Sequence, residues 1–174
     1  KTQAFPGKIS KWENCDRYDF KFKGRKAIVV TPKKAAKGKP WIWRPAFFGA
    51  FASVDKALLK EGFHIVYYDI THLYGSPNAV YYGNEFYKNM ITHYGLSEKV
   101  TLEGFSRGGL FAFNWAAQNP EKVACIYVDA PVCDVFVWPS RERVDLWNDM
   151  LKIWELSEND MKNFKGNPID NLAP

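Results

Sequence analysis

The stretch VTLEGFSRGGLFAFNWAAQNPEKV, residues 100–123, places Gly104-Phe105-Ser106-Arg107-Gly108 where an apolar, strand-like run gives way to a helix-like one. Val100 to Phe105 reads as a strand, Gly108 to Gln118 as a helix closed by Asn119-Pro120, and Val123 to Asp129 as a further, buried strand. A serine at such a turn stands at a helix N-terminus, where the macrodipole favours developing negative charge. Bulky neighbours would crowd it there, and a glycine two residues before and two after removes the crowding. Gly109 adds a third small residue where helix and strand pack. The pattern marks Ser106 as a candidate nucleophile. The plainer reading is a Gly-rich turn whose serine only caps the helix.

Upstream, Tyr18 to Phe22 and Arg25 to Thr31 read as two antiparallel strands around Gly24, and Trp41 to Arg44 as a third strand opened by Pro40. Ser53 to Glu61 follows as a helix with Ser53 as N-cap and Gly62 as its stop. His64 to Asp69 is a nearly continuous apolar run of the kind found in buried parallel strands. A long helix from about Asn78 to Tyr94 carries Val80, Phe86, Tyr87, Met90 and Ile91 on one face and ends at Gly95. Six strands alternating with helices of this length imply right-handed crossovers, hence an α/β fold whose mostly parallel sheet is covered by helices on both faces. The tail from Val135, with Trp138, Trp147 and Trp154, reads as short helices, and 135–166 as a candidate lid or helical insertion within one domain spanning 1–174.

Composition narrows the function classes. Of the 174 residues 47% are hydrophobic and 17% aromatic, seven of them Trp, which is a globular rather than a disordered composition. No apolar run approaches the roughly 20 residues that span a bilayer, so no membrane partner is expected. The segment Lys1-Thr2-Gln3 lacks the apolar stretch of a signal peptide, leaving either a cytoplasmic protein or one whose leader has been removed. The net charge of +5 is dispersed apart from Lys33, Lys34, Lys37 and Lys39, which lie with Gly38 and Pro40 in a solvated loop rather than a nucleic-acid patch. Cys15, Cys125 and Cys133 make no metal spacing and cannot all pair, and Cys125 reads as core. No metal or organic cofactor is implied.

On these residues the chain resembles the α/β-hydrolase superfamily from about Tyr18 to Asp129. PWIWRPAFFGAF, YYDITHLYGSP, LEGFSRGG, NWAAQNP and YVDAPVCD together resemble bacterial esterase-like hydrolases associated with polysaccharide breakdown. The Ser-Arg pair of GFSRGG is also similar to that of glucuronoyl esterases. The resemblance implies a three-layer sandwich in which six of about eight strands are present. It implies a second oxyanion donor in the loop 44–49, where Pro45 has no N–H and Ala46 or Phe47 would pair with the N–H of Arg107. The Arg44 and Arg107 side chains are candidates for binding an acidic or polyhydroxylated substrate, or for surface salt bridges. Trp138, Trp43 and Tyr74 are candidates for stacking on sugar rings, with core packing as the alternative for Trp43.

A serine hydroxyl needs a histidine to take its proton and an acid to orient that histidine. In this superfamily the order along the chain is Ser, acid, His, yet His64, His72 and His93 all precede Ser106. The acid and His are therefore expected beyond residue 174 of a C-terminally truncated domain, with 167–174 as the approach to a further strand. His64 and His93 read as structural. His72, in the loop after the His64 to Asp69 strand, is expected as a substrate contact, since one strand separates that strand from the nucleophile strand. Asp134 is expected to line the site, and Asp129 is a weaker acid candidate. The expectation is a serine esterase acting on small-molecule or glycan-linked acyl esters, in the periplasm or secreted, with the cytoplasm as the other possibility. Rivals are a peptidase of the prolyl oligopeptidase type and a non-catalytic module binding glycan or protein.

Overall fold

The computed structural model describes residues 3–171. Seven strands, β1 (Lys8–Trp12), β2 (Cys15–Phe22), β3 (Arg25–Thr31), β4 (Trp41–Arg44), β5 (His64–Tyr68), β6 (Val100–Phe105) and β7 (Val123–Asp129), form one sheet in the order β1-β2-β3-β5-β4-β6-β7. β4 pairs in parallel with both β5 and β6, and β6 in parallel with β7, whereas β1, β2, β3 and β5 pair antiparallel in turn. Five strands thus point one way, with only β1 and β3 reversed. β1 is a strand the sequence does not announce: KISKW is polar and almost wholly exposed, and it is held by its ladder to β2 rather than by an apolar face.

The helices cover the two faces unequally. α1 (Ser53–Lys60) packs Leu59 against Ile28, Val30, Ile42 and Ile65 on one face. α2 (Pro77–Tyr94) and α3 (Gly108–Gln118) cover the other, where Phe86, Met90, Phe111 and Trp115 close over Trp41, Trp43, Val66 and Leu102. α2 begins on Ser76, whose hydroxyl accepts from Ala79 N–H, and ends on Gly95 at φ +65. α1 is capped by Ala52 with no side-chain bond, so Ser53 is its first helical residue and not its N-cap. Trp43 is fully buried between Phe111, Trp115 and Phe86. Its place in the core excludes it from sugar stacking.

Two expectations fail at β7. β7 is an edge strand whose Ala124, Cys125, Tyr127, Val128 and Asp129 are exposed, so its apolar composition does not make it buried, and Cys125 is a surface thiol. Beyond β7 lie α4 (Val144–Trp154) and short turns, whose Val135, Trp147, Met150 and Met161 bury against Tyr74 and Leu110. Asn114 ties α3 to this segment by donating to the carbonyls of Gly75 and Gly166. Over its described part the stretch expected to approach a further strand is a 3-10 turn, Pro168–Asn171; residues 172–174 lie outside the described residues.

Candidate active site

β6 ends at Phe105 and α3 begins at Gly108, so two residues carry the whole reversal from strand to helix. Ser106 absorbs it at φ +50, a left-handed conformation that costs a non-glycine residue about 1–3 kcal/mol. Three backbone bonds hold it there. Ser106 N–H donates to Asp129 O at 3.0 Å, and Ser106 O accepts from Gly109 N–H at 3.0 Å and Val132 N–H at 2.9 Å. The small residues around it are required by close approach. A Cβ on Gly109 would lie 2.7 Å from the Val132 carbonyl oxygen, and one on Gly104 3.0 Å from a Val128 methyl.

The loop after β4 comes up beside this turn. A Cβ on Gly108 would meet Pro45 at 3.3 Å and Ala46 at 3.4 Å, which measures how tightly the 45–47 loop lies against the start of α3. Phe47 has φ +51. Among the described residues no acceptor takes the backbone N–H of Arg107, Ala46 or Phe47. Unpaired N–H groups from a helix N-terminus and a facing loop are the arrangement that receives a developing oxyanion.

Around Ser106 the walls are aromatic. Phe47 and Phe51 lie edge-on or tilted to Phe105 at 5.5 and 5.3 Å, and Phe51 is 79% exposed. Across from them Trp138 stacks on Tyr74 at 5.8 Å. The Arg107 guanidinium lies between the two sides, 4.8 Å above the Phe47 ring and 5.9 Å from that of Trp138. The structure therefore brings together Ser106, Arg107, Ala46, Phe47 and Trp138, but not the rest of the expected residues.

Tyr74 is only 2% exposed and donates its hydroxyl to Asp149 at 2.9 Å, so it backs Trp138 and does not meet solvent. Burial, helped by that carboxylate, takes its phenol far above the usual range. Asp134 shapes a turn: its carboxylate accepts from Phe136 N–H at 2.8 Å and its carbonyl from Val137 and Trp138 N–H. His72 is the exposed residue of an otherwise buried 3-10 turn after β5, Thr71–Leu73, and pairs with Asp69 at 3.2 Å. β4 separates β5 from β6, and His72 makes no hydrogen bond to Ser106. His64, the first residue of β5, is buried and accepts no proton readily, its pKa lowered by burial to about 4. His93 lies at the end of α2 beside Thr92.

Arg44 corrects the sequence reading most sharply. It is 1% exposed and faces the interior, not substrate. Its Nε donates to Ala46 O at 3.0 Å, Nη2 to Ala50 O, and Nη1 to the Asp55 carboxylate of α1; Nη2 also lies 3.4 Å from Glu103 Oε1. One guanidinium thus ties the 46–50 loop, α1 and the nucleophile strand into a single unit. Neither Asp55 nor Glu103 was singled out in the sequence. The signal was present in Glu103: a carboxylate inside the apolar strand VTLEGF, immediately before the glycine of the turn, has to find a partner in the interior.

Two carboxyls share this site with one cation, and Asp55 Oδ1 and Glu103 Oε2 are buried with no hydrogen-bond partner among the described residues, which favours protonation of the pair. Burial, then the neighbouring Asp55 charge, lifts Glu103 to about 8, and burial lifts Asp55 as well, against the pull of Arg44. A carboxyl whose folded pKa is raised stabilises fully below its unfolded value of 4.5 and loses that contribution as pH rises through about 8. Neutral His64 acts in the opposite sense, its contribution being lost as pH falls from 6.5 through about 4. The two slopes oppose between 4.5 and 6.5, and from 6.5 to about 8 the buried Glu103–Asp55 pair acts without His64. Resistance to urea is expected to fall across that upper interval. Glu103→Gln keeps a donor toward Asp55 and removes the titration, so its urea midpoint is expected to stay level there; a decline that persists in the variant assigns it to another group.

The sequence model of the family described as alpha/beta hydrolase fold matches residues 44–157. No curated protein matches the sequence. Among solved structures the chain is similar to a cold-adapted esterase from an Arctic intertidal metagenomic library, with 10% identity, 85% of this chain and 74% of that chain covered, and a TM-score of 0.58. An S-formylglutathione hydrolase from Agrobacterium tumefaciens shares 14% identity over 82% of this chain and 71% of that one, with a TM-score of 0.61. BES protein from Bacillus cereus shares 18% over 87% and 72%, with a TM-score of 0.52. At such identities these are likenesses of fold. Among the described residues no group of three or more His, Cys, Asp or Glu is placed to hold a metal ion, and no helix is long and apolar enough to cross a membrane.

Proposed function

The chain belongs to the α/β-hydrolase fold family, and on that premise we propose that it is a serine hydrolase of carboxylic esters, acting through an acyl-enzyme on Ser106. One observation carries the reading: Ser106 is held at φ +50 on the strand-to-helix turn, beside unpaired N–H groups of Arg107 and of the Ala46-Phe47 loop. In this reading Ser106 Oγ attacks the ester carbonyl carbon and its proton passes to a base. The carbonyl oxygen gathers charge against the N–H of Arg107 and that of Ala46 or Phe47, each worth about 3 kcal/mol of transition-state stabilisation. The alcohol then leaves, and water releases the acyl group. No imidazole among the described residues hydrogen-bonds Ser106, so the reading assigns the base to none of them.

The finer reading, acyl esters carried on a glycan, rests on Trp138. Its ring is partly exposed, 5.9 Å from the guanidinium of Arg107 and backed by Tyr74, and flat apolar sugar faces suit such a plane.

A fluorophosphonate probe tests the proposal. An adduct mapping to Ser106, together with release of 4-nitrophenol from short-chain esters and no cleavage of peptide amides, is the expected result. A protein that hydrolyses esters with the label elsewhere, or that takes no label, overturns it; the latter favours a binding module built on the same fold.

A further inference from the structure

Arg107 carries more than a backbone donor. Its guanidinium lies over the Phe47 ring at 4.8 Å and near that of Trp138 at 5.9 Å, and its Nε is buried with no hydrogen-bond partner among the described residues. It forms no ion pair among them either. Asp69 is engaged with His72, and Asp149 with Tyr74.

The contrast with Arg44 is instructive. That guanidinium is completely satisfied by two carbonyls and two carboxyls and has nothing left for a ligand. Arg107, one residue from Ser106, is partly exposed, keeps a buried Nε donor with no acceptor among the described residues and forms no ion pair among them, and a buried donor is costly unless something supplies an acceptor. Two aromatic rings lie 4.8 and 5.9 Å from the guanidinium, and a guanidinium's planar fork suits carboxylate geometry better than a neutral carbonyl.

We infer that Arg107 is a specificity-determining residue that binds a carboxylate of the substrate, and that the preferred esters carry a free carboxylate close to the scissile bond. The inference rests on the serine hydrolase reading of the same site, and its test separates the two. The probe pair is 4-nitrophenyl hemiglutarate and its methyl ester, alike in size and differing in one charge. The ratio of their kcat/KM values is expected to favour the hemiglutarate by about 10- to 100-fold, the span of one charge-assisted pair. In Arg107→Gln the ratio is expected to fall to near one, whatever the absolute rate. Glutarate itself is titrated separately by tryptophan fluorescence, with saturation expected in the parent and its loss in Arg107→Gln.

Esters hydrolysed with no preference for the charged member, or with a preference that survives Arg107→Gln, overturn the inference and leave the hydrolase reading intact. Saturable glutarate binding that needs Arg107, in a protein that turns over neither ester, overturns the hydrolase reading and upholds the carboxylate site. Absence of glutarate saturation in the parent counts against the site.

Discussion

With Ser106 replaced by glycine, ester hydrolysis is expected to fall at least about a thousand-fold, while resistance to urea rises by about 1 kcal/mol. The two effects have one origin. Ser106 sits at φ +50, where a Cβ is unwelcome and glycine is at home. The three backbone bonds that fix the turn, from Ser106 N–H to Asp129 O and from Gly109 and Val132 N–H to Ser106 O, survive the change. Glycine therefore relieves strain without loosening the turn, and the gain outweighs its usual entropic penalty. Alanine retains the Cβ and the strain, and is expected to lose the same activity with an unmoved midpoint. Hydrolysis of 4-nitrophenyl esters and urea denaturation report the two quantities. A glycine variant less stable than its parent would show that the turn stores no strain.

The second large effect concerns no candidate catalytic group. Arg44→Met is expected to destabilise the protein by about 3–5 kcal/mol, because it leaves a buried carboxyl pair with no cation and frees the Ala46 and Ala50 carbonyls at one stroke. Adding Asp55→Leu to that variant removes the carboxylate most in need of the cation, and is expected to restore part of the loss. The interaction between the two changes, read from a double-mutant cycle in urea, measures the clamp. Ester hydrolysis should fall with Arg44→Met as well, since the guanidinium holds the loop that presents Ala46 and Phe47 to the site. Additive effects would mean that Arg44 and Asp55 act independently.

Local residues reveal the turn and its neighbours, because a Gly-x-Ser-x-Gly-Gly run between an apolar strand and an apolar helix has few geometries open to it. They also reveal α2, through Ser76, its apolar face and Gly95. They do not reveal β1, whose composition is polar and whose strand exists only by pairing with β2. Nor do they tell a buried strand from an edge: β7 is as apolar as β6, and only the strand order shows which one lies at the margin. Among the candidate residues, Trp43 and Trp138 look alike in sequence but fall in the core and beside Arg107 respectively. Tyr74 keeps its ring in the predicted neighbourhood but turns it inward, onto Trp138 and Asp149.

The sequence by itself determined the alternation of strand and helix and the sharp turn at Ser106, since both follow from periodicity and from where glycine is tolerated. Only the tertiary structure decided what the two arginines do. An arginine's environment is set by chain distant from it: α1 and Glu103 close around Arg44 and satisfy it, while Phe47 and Trp138 frame Arg107 and leave its charge unmatched.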